Sequence, residues 1–507
     1  MSFTTRRIRE KAPRKAWKWN AIALGALKFA QPILGYYRSW KIQKNEEMKR
    51  KMILKRIIII ILIAVFLGAL LFTGVARALV ALRIINMPQV LNVAGADLPV
   101  DEDGFTNILL LGQGDESHDG KDLTDTIMIA SIDPQKTKSV VLLSLPRDLY
   151  FLHTENMGAG RINSLYRDYK SHLIHREGKT EQEASLEAIQ ELAKEVGKAM
   201  NLSIHHVVKV DFIGFVQAVD ALGGVDLEVP YDIVDTEYPG PNYSYETFEI
   251  LAGPQHLDGE MALKYVRSRH TSSDFGRSAR QQQLLAALGE QVKTEGIIRS
   301  PGKVAELYNI MAEHLETTLT LREMVGAAKL GKDIDRSRIL TMQLNDVNGL
   351  YGEVIEPGGF LYTPPREEFE GAFVLLPVSI PEFPVTWTQI HTLSDLFLRT
   401  RSIYLSHPQL YVLNAGARSG LGRKLGTELI RYGFSVEKIA NAGIAKKPTS
   451  FVAYRTEADK PLAEFFSMLL GIPVEPLPAD LPSENVGQVT VVVGQDYSYK
   501  PVQDLVK

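Results

Sequence analysis

The sequence predicts an α/β protein: a central sheet flanked by helices, followed by a small βαβ unit and preceded by one transmembrane helix. Three observations carry this. From residue 105 onward, short apolar runs that stop at glycine or aspartate alternate with amphipathic stretches. The alternation restarts on a smaller scale after residue 405. Residues 57–76 read IIIIILIAVFLGALLFTGVA, a twenty-residue run without a charge and long enough to span a bilayer as a helix.

The elements follow in order. Residues 1–56 form a basic arm with sixteen Lys/Arg against three Glu, a net +13. Such an arm is expected on the cytoplasmic side, which places everything after residue 76 outside the cell. The span lies too far from the start for a cleaved signal peptide and reads as a signal anchor. Residues 20–37 are apolar but interrupted by Lys28 and Pro32, as in a helix lying on the membrane surface. Residues 77–104 are a linker. A first domain is expected over 105–300, with strands at 107–111, 126–132 and 139–145 and a turn at Asp133-Pro134. A helix over 181–200, a strand at 206–211, a helix at 212–222 and a strand at 225–229 follow, with a further helix over 281–295. Residues 301–405 are a helical and mixed extension. Residues 406–500 carry strands at 410–413, 449–454 and 488–493 with helices at 422–432 and 462–470. The turn from Asn414 to Gly422 has the look of a phosphate-binding glycine loop, but the ordinary need for positive φ between strand and helix also explains it.

Charge and composition exclude several functions. The chain carries −3 overall; removing the +13 arm, Arg77 and Arg83 leaves −18 for residues 84–507. An acidic exterior argues against nucleic acid as a partner. There is no cysteine, so disulfides, thiolate metal sites and thiol nucleophiles are absent.

Against that acidic background stands a basic block. Tyr265-Val-Arg-Ser-Arg-His270 and Asp274-Phe-Gly-Arg-Ser-Ala-Arg-Gln-Gln282 place four arginines within eighteen residues. A short helix over 257–264, N-capped by Asp258, is expected before it. If the chain then extends, Arg267 and Arg269 share a face. If it is helical from residue 278, Arg277, Arg280 and Gln281 share another. Guanidinium groups converging on one point suit a phosphate or pyrophosphate.

The region 105–290 resembles the LytR-CpsA-Psr family. The resemblance rests on five blocks in the family's order: Leu123-Thr-Asp-Thr126, Ser144-Leu-Pro-Arg-Asp148, Arg161-Ile-Asn163, Val219-Asp-Ala-Leu-Gly-Gly-Val-Asp226 and the arginine block from Leu257 to Gln282. Val412-Leu-Asn-Ala-Gly416 and Val491-Val-Val-Gly-Gln-Asp496 resemble the domain often appended to it. The resemblance implies a mixed central sheet and a membrane-anchored phosphotransferase. Such an enzyme takes a polyprenyl-pyrophosphate-linked glycan, transfers the phosphoglycan to a peptidoglycan hydroxyl and releases polyprenyl phosphate. It implies pyrophosphate contacts from Arg147, Arg161, Arg267, Arg269 and Gln281, with Arg277 lining the same site. It implies Mg²⁺ or Mn²⁺ held by Asp125, with Asp115, or Asp119 or Asp122 of the same loop, as the second carboxylate. Arg147, Asp125 and Asp148 are the catalytic candidates, Asp148 either as a base or as the partner that orients Arg147. The apolar helix 212–222 and strand 206–211 suit a lipid groove or an ordinary core. A polyprenyl-pyrophosphate phosphatase on the same site, and a non-catalytic lipid- or wall-binding scaffold, are the other expectations these residues leave open.

Overall fold

The computed structural model describes residues 97–506, apart from 115–121, 241–243, 270–273, 295–313, 347–358, 379–384 and scattered positions between 321 and 333. The basic arm, residues 20–37 and the apolar run 57–76 lie outside the described residues. Among the described residues no helix is long and apolar enough to cross a membrane.

The first strands form where the short apolar runs lie. β1 (Thr106–Gln113), β2 (Thr124–Asp133) and β3 (Ser139–Leu145) pair antiparallel. Asp133 closes the β2–β3 turn by accepting from the backbone N–H groups of Gln135, Lys136 and Thr137. Two short strands, β4 (Tyr150–Phe151) and β5 (Gly160–Arg161), lead into α1 (Ile162–Glu177). α2 (Glu181–Met200) starts on a capping box, the Thr180 hydroxyl accepting from Glu183 N–H while the Glu183 carboxylate accepts from Thr180 N–H. β6 (His206–Asp211) then pairs parallel with β1. β11 (Leu315–Thr317) and β12 (Ile339–Gln343) close the two edges, so the sheet runs β11-β6-β1-β2-β3-β12 and is mixed, as expected.

Side chains alternate across this sheet. Leu109, Leu111, Ile127, Ile129, Val141 and Leu143 are buried with Leu165, Tyr166, Ile189, Leu192 and Val196 of α1 and α2. Met128, Ala130 and Leu142 face the other way and meet Leu285 of α5 (Asp274–Thr294). Beside this layer stands a second cluster. It is built from α3 (Phe212–Ala221), β7 (Val225–Val229), the hairpin of β8 (Ile233–Pro239) and β9 (Tyr245–Ile250), β10 (Gly253–Leu257) and α4 (Gly259–Arg267). The apolar helix α3 is not simply core: Ile213 is 40% exposed.

The extension packs against the first domain. Its β11 and β12 complete the central sheet, and a short ribbon of β13 (Leu361–Tyr362) and β14 (Leu376–Pro377) precedes α6 (Thr388–Ser394) and α7 (Arg401–Leu405). Arg401 is fully buried, donating to Ser131 O and Oγ at 3.1 and 2.8 Å with its guanidinium 3.9 Å from the centre of the Phe105 ring. The C-terminal unit holds β15 (Leu410–Asn414), α8 (Leu421–Arg431), β16 (Val436–Asn441), β17 (Phe451–Tyr454), α9 (Lys460–Leu470) and β18 (Val489–Val493), in the sheet order β16-β15-β18-β17. β16 is absent from the sequence reading because VEKIAN carries two charges in six residues. The glycine turn places Gly420 at φ 88° as the residue before α8, and Asn414 Oδ1 accepts from Gly416 N–H. This is the backbone role expected of a strand-to-helix turn.

Candidate active site

The site lies where β1 and β3 end and β2 begins. Gly112 pairs with Thr126 and Gln113 with Thr124, so Asp125 is the extra residue of a β-bulge. A bulge re-aims a side chain that regular pleating would send to one face. Gly112 permits the close approach: a Cβ there would sit 3.0 Å from Thr126 Cβ.

Asp125 is the hub. Arg147 Nη1 reaches both carboxylate oxygens at 3.4 Å, Asn163 Nδ2 donates to Oδ1 at 3.1 Å, and Arg269 Nη2 stands 3.8 Å from Oδ2. The buried Arg277 donates through Nη2 to the Asp125 carbonyl at 3.1 Å. Gln281 Nε2 donates to Thr126 Oγ1 at 2.9 Å. Burial pushes the Asp125 pKa up. Arg147, the Asn163 hydrogen bond, Arg269 and Arg277 together outweigh that and hold it below the ordinary carboxylate value. Asp148, 7% exposed, accepts from Arg161 Nη1 at 2.9 Å and stands 3.5 Å from Arg147 Nε as an ion pair. It therefore bridges the two arginines of the loop and helix start, the geometry of an orienting carboxylate.

The predicted residues fall into three groups. Arg147, Arg269, Arg277 and Gln281 gather at Asp125 and Thr126, and Arg161 joins through Asp148. Arg267 differs. The expected extended segment is absent at this residue, because α4 runs on to Arg267 and only then turns at Ser268 (φ −54°, ψ 138°). The premise that Arg267 and Arg269 share a strand face is thus corrected. The guanidinium of Arg267 lies 4.3 Å from the Phe212 ring centre and 5.5 Å from that of Tyr238. Arg280 is corrected as well. It turns inward, donating from Nε to Tyr265 O at 2.8 Å and from Nη2 to Ser268 O, and so clamps the turn that presents Arg269. Asp115, Asp119 and His270 lie outside the described residues. Asp122 is held by Lys170 Nζ at 3.0 Å.

Sequence reasoning assigned no role to three residues that matter here. Asn163 supports Asp125. Asp235 accepts from Arg269 N–H at 2.9 Å. Gln282 ties α5 to Ser144 Oγ at 2.9 Å and to Met342 O at 2.8 Å. Asn163 and Gln282 stood inside quoted blocks and Asp235 did not; all three act across more than thirty residues, which no local pattern reveals.

The donor set fits a hard cation in one respect. Asn163 Oδ1 is buried without a hydrogen-bond partner among the described residues, beside the Asp125 carboxylate. Two oxygens at one point suit an ion that takes its remaining ligands from phosphates and water. Among the described residues no group of three or more His, Asp or Glu side chains could hold a metal on its own.

A family model described as the LytR_cpsA_psr family matches residues 86–367, more than half of the chain. The chain belongs to this family. A second model, LytR cell envelope-related transcriptional attenuator, matches 409–497. Among LytR_cpsA_psr relatives, the chain is similar to the cell wall biosynthesis protein LcpA of Corynebacterium glutamicum, at 28% identity over 69% of this chain and 66% of that protein. It is also similar to the polyisoprenyl-teichoic acid–peptidoglycan teichoic acid transferase TagV of Bacillus subtilis, at 29% identity over 47% of this chain and 56% of that protein. The chain thus spans less than two thirds of the length of both curated relatives. The crystal structure of B. subtilis TagV aligns at 22% identity and a TM-score of 0.41, covering 59% of this chain and 98% of that one.

Proposed function

We propose that this protein attaches a glycopolymer to the cell wall, moving a phosphoglycan from a polyprenyl pyrophosphate to a peptidoglycan hydroxyl. The observation that carries the reading is the convergence of Arg147, Arg269 and Arg277 on Asp125 in an otherwise acidic region. The names of the curated relatives support it.

The chemistry follows from the side chains. The acceptor oxygen bonds to the sugar-bearing phosphorus while the bond from that phosphorus to the bridging oxygen breaks. The bridging oxygen leaves on the polyprenyl phosphate with the electron pair, and the proton of the acceptor hydroxyl passes to that phosphate or to solvent water. Arg147 and Arg269 face charge that builds on the phosphoryl oxygens, where fixed donors act without reorganising. Arg161 and Asp148 hold Arg147 in aim. Gln281 and Arg277 fix the bulge. A bound Mg²⁺ or Mn²⁺ on Asp125 and Asn163 Oδ1 would offset phosphate charge. Asp115 belongs to this reading as the second carboxylate. The uncharged run 57–76 anchors the chain with its basic arm inside and the site outside.

The test is product analysis with a polyprenyl-pyrophosphate-linked glycan, with and without a peptidoglycan acceptor. Glycan joined to acceptor, with polyprenyl phosphate released only when acceptor is present, is expected. Release at the same rate without acceptor would make the protein a phosphatase. No release in either arm would leave a scaffold.

A further inference from the structure

The donor site accounts for one of two substrates. We propose that the cleft between α5, β12 and α8 is the acceptor subsite and takes a polysaccharide strand of amide- and carboxylate-bearing sugars. This rests on the transferase reading above.

The cleft has a volume of about 720 Å³, within the usual range for ligand pockets. Its polar lining includes Gln282, Gln283, Arg336, Gln343, Asn345 and Arg431, and no carboxylate lines it among the described residues. In a region carrying −18 that is a selective surface. The larger groove of about 1070 Å³ is lined by Asp101, Glu102 and Asp103 together with Lys194, Lys198 and Arg399, and it lies by the start of β6, at the end of the sheet away from Arg147.

The cleft adjoins the donor site. Gln281 and Gln282 are consecutive on α5: the first reaches Thr126 beside Asp125, the second lines the cleft and reaches Ser144, three residues before Arg147. Gln343 lies in register with Ser144, so the cleft opens at the end of the sheet from which the Arg147 loop departs. Arg336 precedes the start of β12, which pairs there with Val140 at the opposite end, so an acceptor strand laid along β12 from Arg336 to Gln343 brings its far hydroxyl groups to the Arg147 end.

The groups on offer match the ligand class. The Gln343 amide pairs with N-acetyl groups and sugar hydroxyls, and the Arg336 guanidinium takes a carboxylate with two parallel bonds. The Gln282 and Gln283 amides are bonded within the protein, to Ser144 and Met342 and to Tyr265 and Glu228, and hold the wall in place. Among the described residues no carboxylate is ion-paired with Arg336. Arg431 is already engaged, with Nε donating to Gly359 O at 3.2 Å, Nη1 paired with Glu428 at 3.4 Å, Nη2 donating to Gln389 Oε1 and its guanidinium 4.4 Å from the Phe360 ring centre, so it shapes the wall and leaves the ligand's carboxylate to Arg336. Arg431 comes from the C-terminal unit, which approaches β12 so closely that a Cβ on Gly433 would meet Met342 Cε at 2.5 Å. The C-terminal unit is therefore one wall of the acceptor site.

The test uses the full chain in detergent and two soluble probes. One is a peptide-free tetrasaccharide of alternating N-acetylglucosamine and N-acetylmuramic acid; the other is the N-acetylglucosamine tetramer, which lacks the carboxylates. Arg336→Gln should weaken the first about tenfold, the loss of one charge-assisted pair, and leave the second within twofold. Gln343→Ala should weaken both. Neither should alter affinity for a short-chain polyprenyl pyrophosphate. A wild-type protein that binds the pyrophosphate but not the tetrasaccharide overturns the proposal. So does tetrasaccharide binding that both variants leave unchanged. Binding of the tetrasaccharide through Arg336 without any pyrophosphate binding keeps the cleft and sinks the donor reading instead.

Discussion

Asp125→Asn separates two roles that the carboxylate plays. Its oxygens stand 3.4 Å from Arg147 Nη1 and 3.8 Å from Arg269 Nη2, so a pyrophosphate drawn to these arginines meets a negative charge close by. Its depressed pKa means that the full charge is present at neutral pH. Asparagine keeps the oxygen that accepts from Asn163 and Arg147 but removes that charge. At a separation of about 8 Å and an effective dielectric of about 20–40, the repulsion relieved per phosphate charge is roughly 1–2 kcal/mol. Without divalent metal, the variant should therefore bind a short-chain polyprenyl pyrophosphate about five- to thirtyfold more tightly than wild type. With Mg²⁺ present, glycan transfer should fall by at least about a hundredfold, since several kcal/mol of charge stabilisation is lost with the ion's anchor. Calorimetric titration in EDTA and a transfer assay in Mg²⁺ give the two readings. Unchanged or weaker binding in EDTA would refute the electrostatic argument, and undiminished transfer in Mg²⁺ would refute the metal assignment.

Other outcomes are expected from the same geometry. Arg269→Ala should lose about tenfold in polyprenyl-pyrophosphate affinity, with Arg269→Lys recovering only part because the fork is lost, read by the same titration. Arg280→Met should lower stability by roughly 2–4 kcal/mol in a denaturant melt, because it strands the buried carbonyls of Tyr265 and Ser268. Thr180→Ala should cost about 1 kcal/mol through the lost cap of α2 while leaving transfer intact. The stability that Asp125 contributes through its lowered pKa should be fully present above about pH 4, its unfolded value, and fade as pH falls through the folded one. Acid melts of wild type and Asp125→Asn should therefore converge only below that point, and convergence already at pH 6 would contradict the assigned shift. Protease added to intact cells should digest the chain beyond residue 84 and spare the basic arm; a protected exterior would reverse the topology.

Much of the fold is local, and local features are readable. The short apolar runs of β3 and β6 and the amphipathic period of α2 fix those elements within the chain itself, and their bounds match the sequence reading. The hairpin of β8 and β9 and the strand β16 were missed, because their exposed positions carry charges that hide the alternation. The blocks around Asp125, Arg147, Arg161 and Gln281 declared their chemistry by residue type alone: guanidinium groups concentrated where the surroundings are acidic. What each side chain does with that chemistry was settled by contacts between distant segments. Arg267 and Arg269 differ by two positions, yet α4 ends between them, so one lies against Phe212 and Tyr238 while the other faces Asp125. Arg277 and Arg280 are one turn apart on a single helix, yet one bonds the Asp125 carbonyl and the other clamps Ser268. The bulge that aims Asp125 exists only once β1 and β2 pair, and the cleft beside Gln282 only once α8 closes on β12. The sequence by itself determined which groups are available, because charge and hydrogen-bonding capacity belong to each residue. Which of them meet is a property of register and packing, which only the folded chain possesses.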